Sequence, residues 1–405
     1  MNFVPRVSPL LILIACFVSL ASAQTSSRTA EDSLHAAENS TAIGGYGNAL
    51  YQRDFNQGTS SADLERVVIF VGHNFGSVSF FSELEMEDAK VEGGDDGGEI
   101  AFEQAYLKFN LDQTHYIAAG LFLPRIGITN ENHLPGDFNG NERPFVETYI
   151  IPATWRELGI GFYGTADFTP LNYNVALVNG LSSATFAHGS GIREGRFEGR
   201  NASANNLAVT GAVQFYTGDV KMQASGYYGG SVGLGPRQAD SLQLTSGVFG
   251  TPVGLVETDA VYDANGFTGK ILGTIISIPN ASEINRAYAN NTPESEYGAY
   301  VEVGYDLLRF LHRSDEKRLV LFARLETLDM NASIPANGIS DGSLKQRHII
   351  SGLTYFPIGN VVIKADVRFE HTGDQNQALI LNPNPAALPY KNNNVFLNVG
   401  LGYSF

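Results

Sequence analysis

The sequence contains one cysteine in 405 residues, and this residue, Cys16, lies in an apolar N-terminal stretch. Residues 10–20 are predominantly apolar, Arg6 supplies a positive charge before them, and Ala21-Ser22-Ala23 is a small-residue cleavage pattern. We therefore predict a signal peptide over residues 1–23 and export from the cytoplasm. Cleavage after Ala23 leaves a chain without a thiol, which excludes disulfides and thiol catalysis. Residues 13–16 also fit a lipoprotein cleavage box, in which Cys16 would be lipidated.

Long apolar runs and basic residues are also scarce. After the N-terminal stretch no apolar run approaches the roughly 20 residues that a membrane-spanning helix needs. The mean hydropathy of −0.08 fits a soluble protein. It fits a membrane β-barrel equally well, because only alternate strand positions of a barrel meet lipid. The 26 Lys and Arg residues face 42 Asp and Glu residues, giving a formal charge of −16. This balance argues against nucleic acid as a partner.

The last segment of the chain alternates with a period of two. Apolar side chains occupy Val395, Leu397, Val399, Leu401, Tyr403 and the terminal Phe405, with mostly small or polar residues between them. Successive side chains of a strand point to opposite faces, so this segment has one apolar and one polar face. A terminal strand of this kind that ends on Phe is typical of bacterial outer-membrane barrels.

Strand patterns then recur along the whole chain after a polar tail over residues 24–42. The sixteen candidate strands are 43–51, 64–75, 78–88, 99–109, 115–123, 157–166, 171–180, 207–217, 220–229, 255–263, 267–278, 297–308, 318–328, 347–356, 360–370 and 395–405. Most are close to the roughly 9–11 residues that a tilted strand needs to cross the apolar layer.

The connections between these segments alternate between short and long. Short turns such as 76–77, 218–219 and 357–359 carry the Gly, Asn, Asp and Pro residues of hairpins. Longer connections separate them: 52–63, 89–98, 124–156, 181–206, 230–254, 279–296, 329–346 and 371–394. The turn at 309–317 is of intermediate length. We predict an all-β chain over residues 43–405, a closed antiparallel transmembrane β-barrel of about 16 strands with short periplasmic turns and long extracellular loops.

The polar faces of three strands supply the predicted pore lining. A charged Arg or Lys side chain in hydrocarbon near the midplane costs about 2–4 kcal/mol, so such residues are expected to face the lumen. We predict that the pore is lined by Glu83, Glu85, Glu87, Arg324, Glu326, Lys364, Asp366, Arg368 and Glu370. In strand 99–109 the alternation does not show which side chains point into the barrel, because the adjacent polar residues Glu103 and Gln104 would point to opposite faces.

The connection 124–156 is the predicted constriction. Loops of this length are functional or disordered, and its aromatic residues indicate packing. We predict that it folds into the barrel and narrows the pore, with its carboxylates facing basic residues of the wall. Its charged residues are Arg125, Glu131, Asp137, Glu142, Arg143, Glu147 and Arg156. The alternative is a surface loop that covers the mouth of the barrel.

Several segments resemble a known family. The stretches 102–106 (FEQAY), 119–124 (AGLFLP), 128–133 (ITNENH), 142–155 (ERPFVETYIIPATW) and 297–305 (YGAYVEVGY) look like outer-membrane porins of the Bacteroidota type, a group similar to the phosphate-selective porin O and P family. The resemblance implies sixteen strands, a homotrimer and an inward-folded third loop. Phosphate-selective members carry ladders of Arg and Lys, which this sequence lacks, so we expect cations or neutral solutes to be favoured.

Sequence patterns for chemistry are weak. No G-x-S-x-G motif is present, and the eight His residues show no ligand spacing, so we expect no enzyme activity, no cofactor and no metal site. Residues 93–99 (GGDDGGE) could hold Ca²⁺, although a solvated acidic loop is favoured.

The predicted function is a porin of the bacterial outer membrane, a passive diffusion channel for small hydrophilic solutes or ions. Its expected partners are outer-membrane lipid, lipopolysaccharide and two further copies of the chain. The alternative is a surface receptor or adhesin with a plugged barrel. A hydrolase site in the lumen or the loops is a third, weaker hypothesis.

Overall fold

The computed structural model describes residues 39–89, 98–311, 317–380 and 388–405. Its strands are β1 Ser40–Asp54, β2 Thr59–Asn74, β3 Val78–Glu87, β4 Ile100–Asn110, β5 His115–Phe122, β6 Glu157–Thr165, β7 Leu171–Asn179, β8 Leu207–Thr217, β9 Val220–Gly230, β10 Pro252–Ala264, β11 Phe267–Ser277, β12 Ser295–Asp306, β13 Arg318–Ser333, β14 Lys345–Ile358, β15 Val361–Thr372 and β16 Asn393–Ser404. The predicted signal peptide, Cys16, residues 24–38 of the predicted tail and most of the candidate Ca²⁺ loop lie outside the described residues.

The strands close into a single barrel. Each pairs antiparallel with its neighbours in sequence, and β1 pairs with β16 from Tyr46↔Ser404 to Asp54↔Phe396. The terminal residue extends this seam, because the Phe405 N–H donates to the Gly45 carbonyl at 2.9 Å. Closure leaves no strand edge unpaired, as a hydrocarbon environment requires. The predicted closed antiparallel barrel is confirmed.

The two faces of the strands divide as the period-two pattern predicts. On β15, Ile363 and Phe369 are 47% and 52% exposed on the outer surface. Lys364 and Arg368, at alternate positions, are 4% and 6% exposed and point inward. Exposed apolar residues recur on the outside of other strands, for example Ile69, Ile349 and Leu401. The outer surface is therefore apolar and the interior is rich in charge.

The connections differ in length between the two ends of the barrel. One end has the connections 75–77, 111–114, 166–170, 218–219, 265–266, 307–317 and 359–360. The other end has 55–58, 88–99, 123–156, 180–206, 231–251, 278–294, 334–344 and 373–392. Long connections are thus concentrated at one end.

The prediction of a long loop at 52–63 is wrong. β1 continues to Asp54 and β2 begins at Thr59, so only residues 55–58 form the turn. The Asp54 carboxylate accepts the N–H groups of Asn56 and Gln57 at 2.7 and 2.9 Å, and Gly58 has φ +70°. Residues 59–63 are exposed and mostly polar although they belong to β2, and this composition resembles that of a loop. β1 also begins at Ser40, so residues 40–42 belong to the barrel.

In the described segments three short α-helices lie in the connections: α1 Pro236–Ser241, α2 Ala281–Tyr288 and α3 Leu307–Phe310. Residues 146–150 form one π-helical turn within the connection between β5 and β6. None of the helices in the described segments combines the length and the apolar character that a transmembrane helix requires.

Candidate functional site in the barrel interior

The connection between β5 and β6 lies inside the barrel, against the inward-facing side chains of distant strands. We call residues 124–156 the inner loop. Lys270 of β11 donates to the Asp137 carbonyl at 2.9 Å, and Lys364 of β15 donates to the Phe138 carbonyl at 2.8 Å. Arg324 of β13 donates to the Glu142 carbonyl at 3.0 Å. Cationic wall residues therefore hold the backbone of the inner loop.

Wall carboxylates complete this attachment. Asp366 accepts the backbone N–H and the side-chain amide of Asn141 at 2.8 and 2.6 Å. Glu326 accepts the Val146 N–H at 3.0 Å, while its other oxygen lies 2.8 Å from Arg324. Buried polar groups need such partners, so the loop and this wall satisfy each other. Arg324, Glu326, Lys364 and Asp366 thus contact the inner loop.

Glu142 is the loop carboxylate that faces a basic wall residue as predicted. Its Oε2 lies 3.0 Å from Arg368 Nε, and it also accepts hydrogen bonds from Gln52 and Asn398. Burial raises the pKa of Glu142 above its ordinary value, an effect that Arg368 opposes and the neighbouring Asp366 strengthens.

Glu147 differs from its predicted role. Its Oε2 accepts the N–H groups of Ile128 and Thr129 at 2.8 and 2.6 Å, and its Oε1 accepts the Tyr300 hydroxyl at 2.7 Å. Gly127 has φ +78°, and a Cβ there would lie 2.7 Å from the same carboxylate. Glu147 therefore organises the loop backbone; its hydrogen-bond partners are neutral groups, and none is a basic wall residue.

The remaining predicted loop residues lie in separate places. Arg125 pairs with Glu131 of the same loop at 2.8 Å and lies over the ring of Tyr163. Arg156 pairs with Glu198 of the connection 180–206 at 3.0 Å. Asp137 contacts the wall with its backbone carbonyl, which accepts a hydrogen bond from Lys270.

Asn130 joins the two ends of the inner loop. Its amide donates to the carbonyls of Pro124 and Trp155 at 2.7 and 3.2 Å, and its oxygen accepts the Trp155 N–H at 2.6 Å. Trp155 is fully buried and packs on Tyr227 of β9 with ring centroids 4.8 Å apart. Apolar packing and hydrogen bonds together fix the loop in the interior.

A cavity of about 470 Å³ remains between the inner loop, the wall of β1 to β4 and the connection 180–206. Its carboxylates are Glu65, Glu85, Glu87, Glu99, Glu142, Glu194 and Glu198. Its cationic residues are Arg66, Arg143, Arg156, Arg193 and Arg196, and His133 also reaches it. Acidic residues predominate on β2 and β3, whereas the connection 180–206 contributes two arginines and two glutamates.

Two arginines in this cavity lack a carboxylate partner. Arg66 lies 3.0 Å from Glu85, and Arg196 lies 2.9 Å from Glu198. Among the described residues no carboxylate oxygen lies within 4.0 Å of the Arg143 or Arg193 guanidinium. Burial, together with the charge of Arg66, lowers the pKa of Arg143 from its ordinary value.

The predicted pore-lining residues divide between two locations. Glu85 and Glu87 line the cavity. Glu83 lies deeper, and Glu370 accepts from Asn394 at 3.0 Å and lies 3.9 Å from Arg368. The other predicted residues of β13 and β15 contact the inner loop: Arg324, Glu326, Lys364, Asp366 and Arg368. The cavity residues Glu65, Arg66, Glu99, Arg193 and Arg196 are absent from the prediction, although charged positions alternating along 193–198 were a usable signal.

A β-bulge determines which side chains of β4 point into the barrel. The register between β3 and β4 shifts so that Gln104 pairs with Glu83 and Phe102 with Leu84. Glu103, the extra residue, is fully buried, and Gln104 donates to Glu83 at 2.8 Å, so both side chains reach inward. A bulge places two consecutive residues opposite one and breaks the strict alternation.

Glu103 is the centre of a buried cluster with Glu83 and His133. His133 Nε2 lies 3.5 Å from Glu103 and 3.7 Å from Glu83. Although burial opposes the charged ring, the two carboxylates raise the pKa of His133 to about 10. The imidazolium thereby balances charge where the inner loop meets β3 and β4.

Known outer-membrane proteins share the fold of this chain. No family model matches the sequence. An uncharacterised protein of Aquifex aeolicus strain VF5 is 29% identical over 350 residues, which cover 83% of this chain and 77% of that protein. The anion-selective porin from Comamonas acidovorans is similar in structure, with a TM-score of 0.53 and 13% identity, covering 91% of this chain and 100% of that one. The outer-membrane channel DcaP of Acinetobacter baumannii has a TM-score of 0.53 and 15% identity, covering 91% and 98%. The chain has the β-barrel fold of outer-membrane porins.

Proposed function

We propose that the protein is a passive diffusion channel of the bacterial outer membrane, for small hydrophilic solutes or ions. The observation that carries this proposal is the cavity of about 470 Å³ inside a barrel with an apolar outer surface. Charged side chains of both signs keep such a space hydrated, and a hydrated interior conducts polar solutes. The structural similarity to porins supports the same function.

The inner loop is the constriction in this proposal. It occupies the side of the lumen next to β11 to β16, which leaves the cavity on the side of β1 to β4 as the route for solutes. Its attachment through Arg324, Lys364 and Arg368 keeps the opening at a constant width.

The charge of the cavity indicates its selectivity. Carboxylates outnumber arginines along the lining, so cations and neutral solutes are favoured over anions. Glu87 is the best test residue because its side chain is 44% exposed and lies 3.9 Å from Arg66, too far for a strong pair. Membership of the group similar to the phosphate-selective porin O and P family stays a prediction from the sequence motifs.

Planar-bilayer recording tests the proposal. We expect stepwise conductance from purified protein and a reversal potential that indicates cation preference in asymmetric salt. Glu87→Gln should reduce that preference, whereas Glu131→Gln, which changes a carboxylate outside the cavity lining, should not. Folded protein that migrates as a heat-modifiable barrel on gels but shows no conductance would contradict the proposal and favour the receptor with a plugged barrel.

We also propose which partners contact the outer surface of the barrel. The apolar outer surface would contact outer-membrane lipid and lipopolysaccharide, and part of it would contact two further copies in a homotrimer. Light scattering of detergent-solubilised protein measures the assembly directly. A mass of one chain would rule out the trimer without affecting the channel.

A further inference from the structure

We propose that Glu83, Glu103 and His133 form a binding site for one divalent transition-metal ion in the wall of the barrel. The three residues come from β3, β4 and the inner loop, and one donor atom of each lies within 4.8 Å of the other two. Their exposed fractions are 1%, 0% and 5%. This site is independent of the transport function.

The donor atoms are already close to coordinating distances. His133 Nε2 lies 3.5 Å from Glu103 Oε2 and 3.7 Å from Glu83 Oε1. Ligands on a tetrahedral ion with bonds of about 2.0 Å are separated by about 3.3 Å. His133 Nε2 therefore needs to approach each carboxylate oxygen by only a few tenths of an ångström, and the two carboxylate oxygens lie within 4.8 Å of each other.

The groups around the cluster orient each ligand toward its centre. The His133 Nδ1–H donates to the Asn130 carbonyl at 3.1 Å, which directs Nε2 at the carboxylates. Glu103 Oε1 accepts the Thr154 hydroxyl at 2.6 Å, and Glu83 Oε2 accepts the Gln104 amide at 2.8 Å. A carbonyl behind a ligating imidazole and donors behind ligating carboxylates are the arrangement found around protein metal ions.

One buried oxygen has no hydrogen-bond partner. Glu83 Oε1 points into the cluster, and no described residue donates a hydrogen bond to it. Burying a carboxylate oxygen without a donor is costly, so the position calls for a cation. The protonated ring of His133 lies 3.7 Å from this oxygen, beyond hydrogen-bond distance, and a bound ion would take the place of the Nε2 proton as the positive charge of the cluster.

The donor set selects the kind of ion. Two carboxylates and one imidazole suit Zn²⁺, Mn²⁺, Co²⁺ or Ni²⁺, whereas Ca²⁺ and Mg²⁺ prefer oxygen ligands alone. Two negative charges would balance a divalent ion. His133 and Thr154 also line the cavity, so an ion can reach the site from the lumen.

Metal titration of the full chain in detergent tests the inference. After treatment with a chelator, the protein should bind one Zn²⁺ or Co²⁺ per chain by calorimetry, and the visible absorption of Co²⁺ should report nitrogen and oxygen ligands. Glu83→Gln and His133→Gln should each weaken binding at least about tenfold, because even residues behind the ligands contribute 10–100-fold. His188→Gln, which changes a histidine of the connection 180–206 that pairs with Asp341 and not with the cluster, should bind as the wild type does.

A further variant distinguishes a lost ligand from a damaged fold. Arg143 interacts electrostatically with Glu103, so Arg143→Gln removes a positive charge near the site and should tighten metal binding. Heat-modifiable migration on gels checks the fold of each variant, and Glu83→Gln leaves the inner loop sequence intact. Absence of stoichiometric binding to folded wild-type protein, or equal binding by wild type and Glu83→Gln, would overturn the inference.

Discussion

Arg368 on β15, which is buried, and Glu142 in the inner loop, whose side chain is 22% exposed, form an ion pair with Nε 3.0 Å from Oε2. The same guanidinium lies 3.9 Å from the ring centre of Phe396 and 4.7 Å from that of Phe145. Arg368 therefore joins the barrel wall to the inner loop by charge and by stacking at once.

Removing this charge should destabilise the protein. In Arg368→Gln the carboxylate of Glu142 loses its cation but keeps the hydrogen bonds from Gln52 and Asn398, so the cost is that of one hydrogen bond to a charged group, about 1.5–3 kcal/mol. Urea unfolding in detergent should measure a decrease of this size in the free energy of unfolding. Arg347→Gln, at an exposed position on β14, should change it little. Equal stability of the two variants would show that the pair does not hold the loop.

Selectivity should depend on pH through Glu142. Burial raises the pKa of this carboxyl, while Arg368, Arg324 and Asn398 oppose the rise and Asp366 strengthens it. As pH falls, Glu142 therefore takes up its proton before an ordinary Glu does, and the cavity loses one negative charge. The reversal potential should therefore move toward anions as the pH falls, beginning above the range in which an ordinary Glu titrates. Glu142→Gln should show part of this shift already at pH 7 and a smaller pH dependence; an unchanged dependence would contradict the assignment.

Arg143, one of the two cavity arginines without a described carboxylate within 4.0 Å, should control anion passage. Arg143→Gln removes a positive charge that has no described carboxylate oxygen within 4.0 Å, so cation preference in the reversal potential should increase. Arg156→Gln is the matched control, because Glu198 already lies 3.0 Å from Arg156. A larger effect of Arg156→Gln would show that solutes pass closer to the connection 180–206.

The Tyr300 hydroxyl should contribute to stability through the inner loop. It donates to Glu147 at 2.7 Å in a fully buried site, and Tyr300→Phe removes only this hydrogen bond. A hydrogen bond to a charged group contributes about 1.5–3 kcal/mol, so unfolding in urea should show a loss in this range. Tyr51→Phe, which removes an exposed hydroxyl bonded to Ser60, provides the control with little expected change.

Much of the barrel could be predicted from the sequence because the period-two pattern is local. The alternation in 360–370 predicts that Ile363 and Phe369 face outward and Lys364 and Arg368 inward, and the structure agrees. The pattern fails where strands leave the apolar layer, as at 52–63, and where a bulge shifts the register, as at Glu103. In both places the side chains no longer alternate between lipid and water.

The sequence by itself determined the strands, their inward faces and the position of the long connection between β5 and β6, since each follows from spacing along one segment. Only the tertiary structure decided which inward-facing charges line the cavity and which lie beneath the inner loop. It also decided that Glu83, Glu103 and His133 meet. Closing sixteen strands and folding a loop inside them brings together residues from distant segments, and periodicity along a single strand carries no information about partners across the lumen.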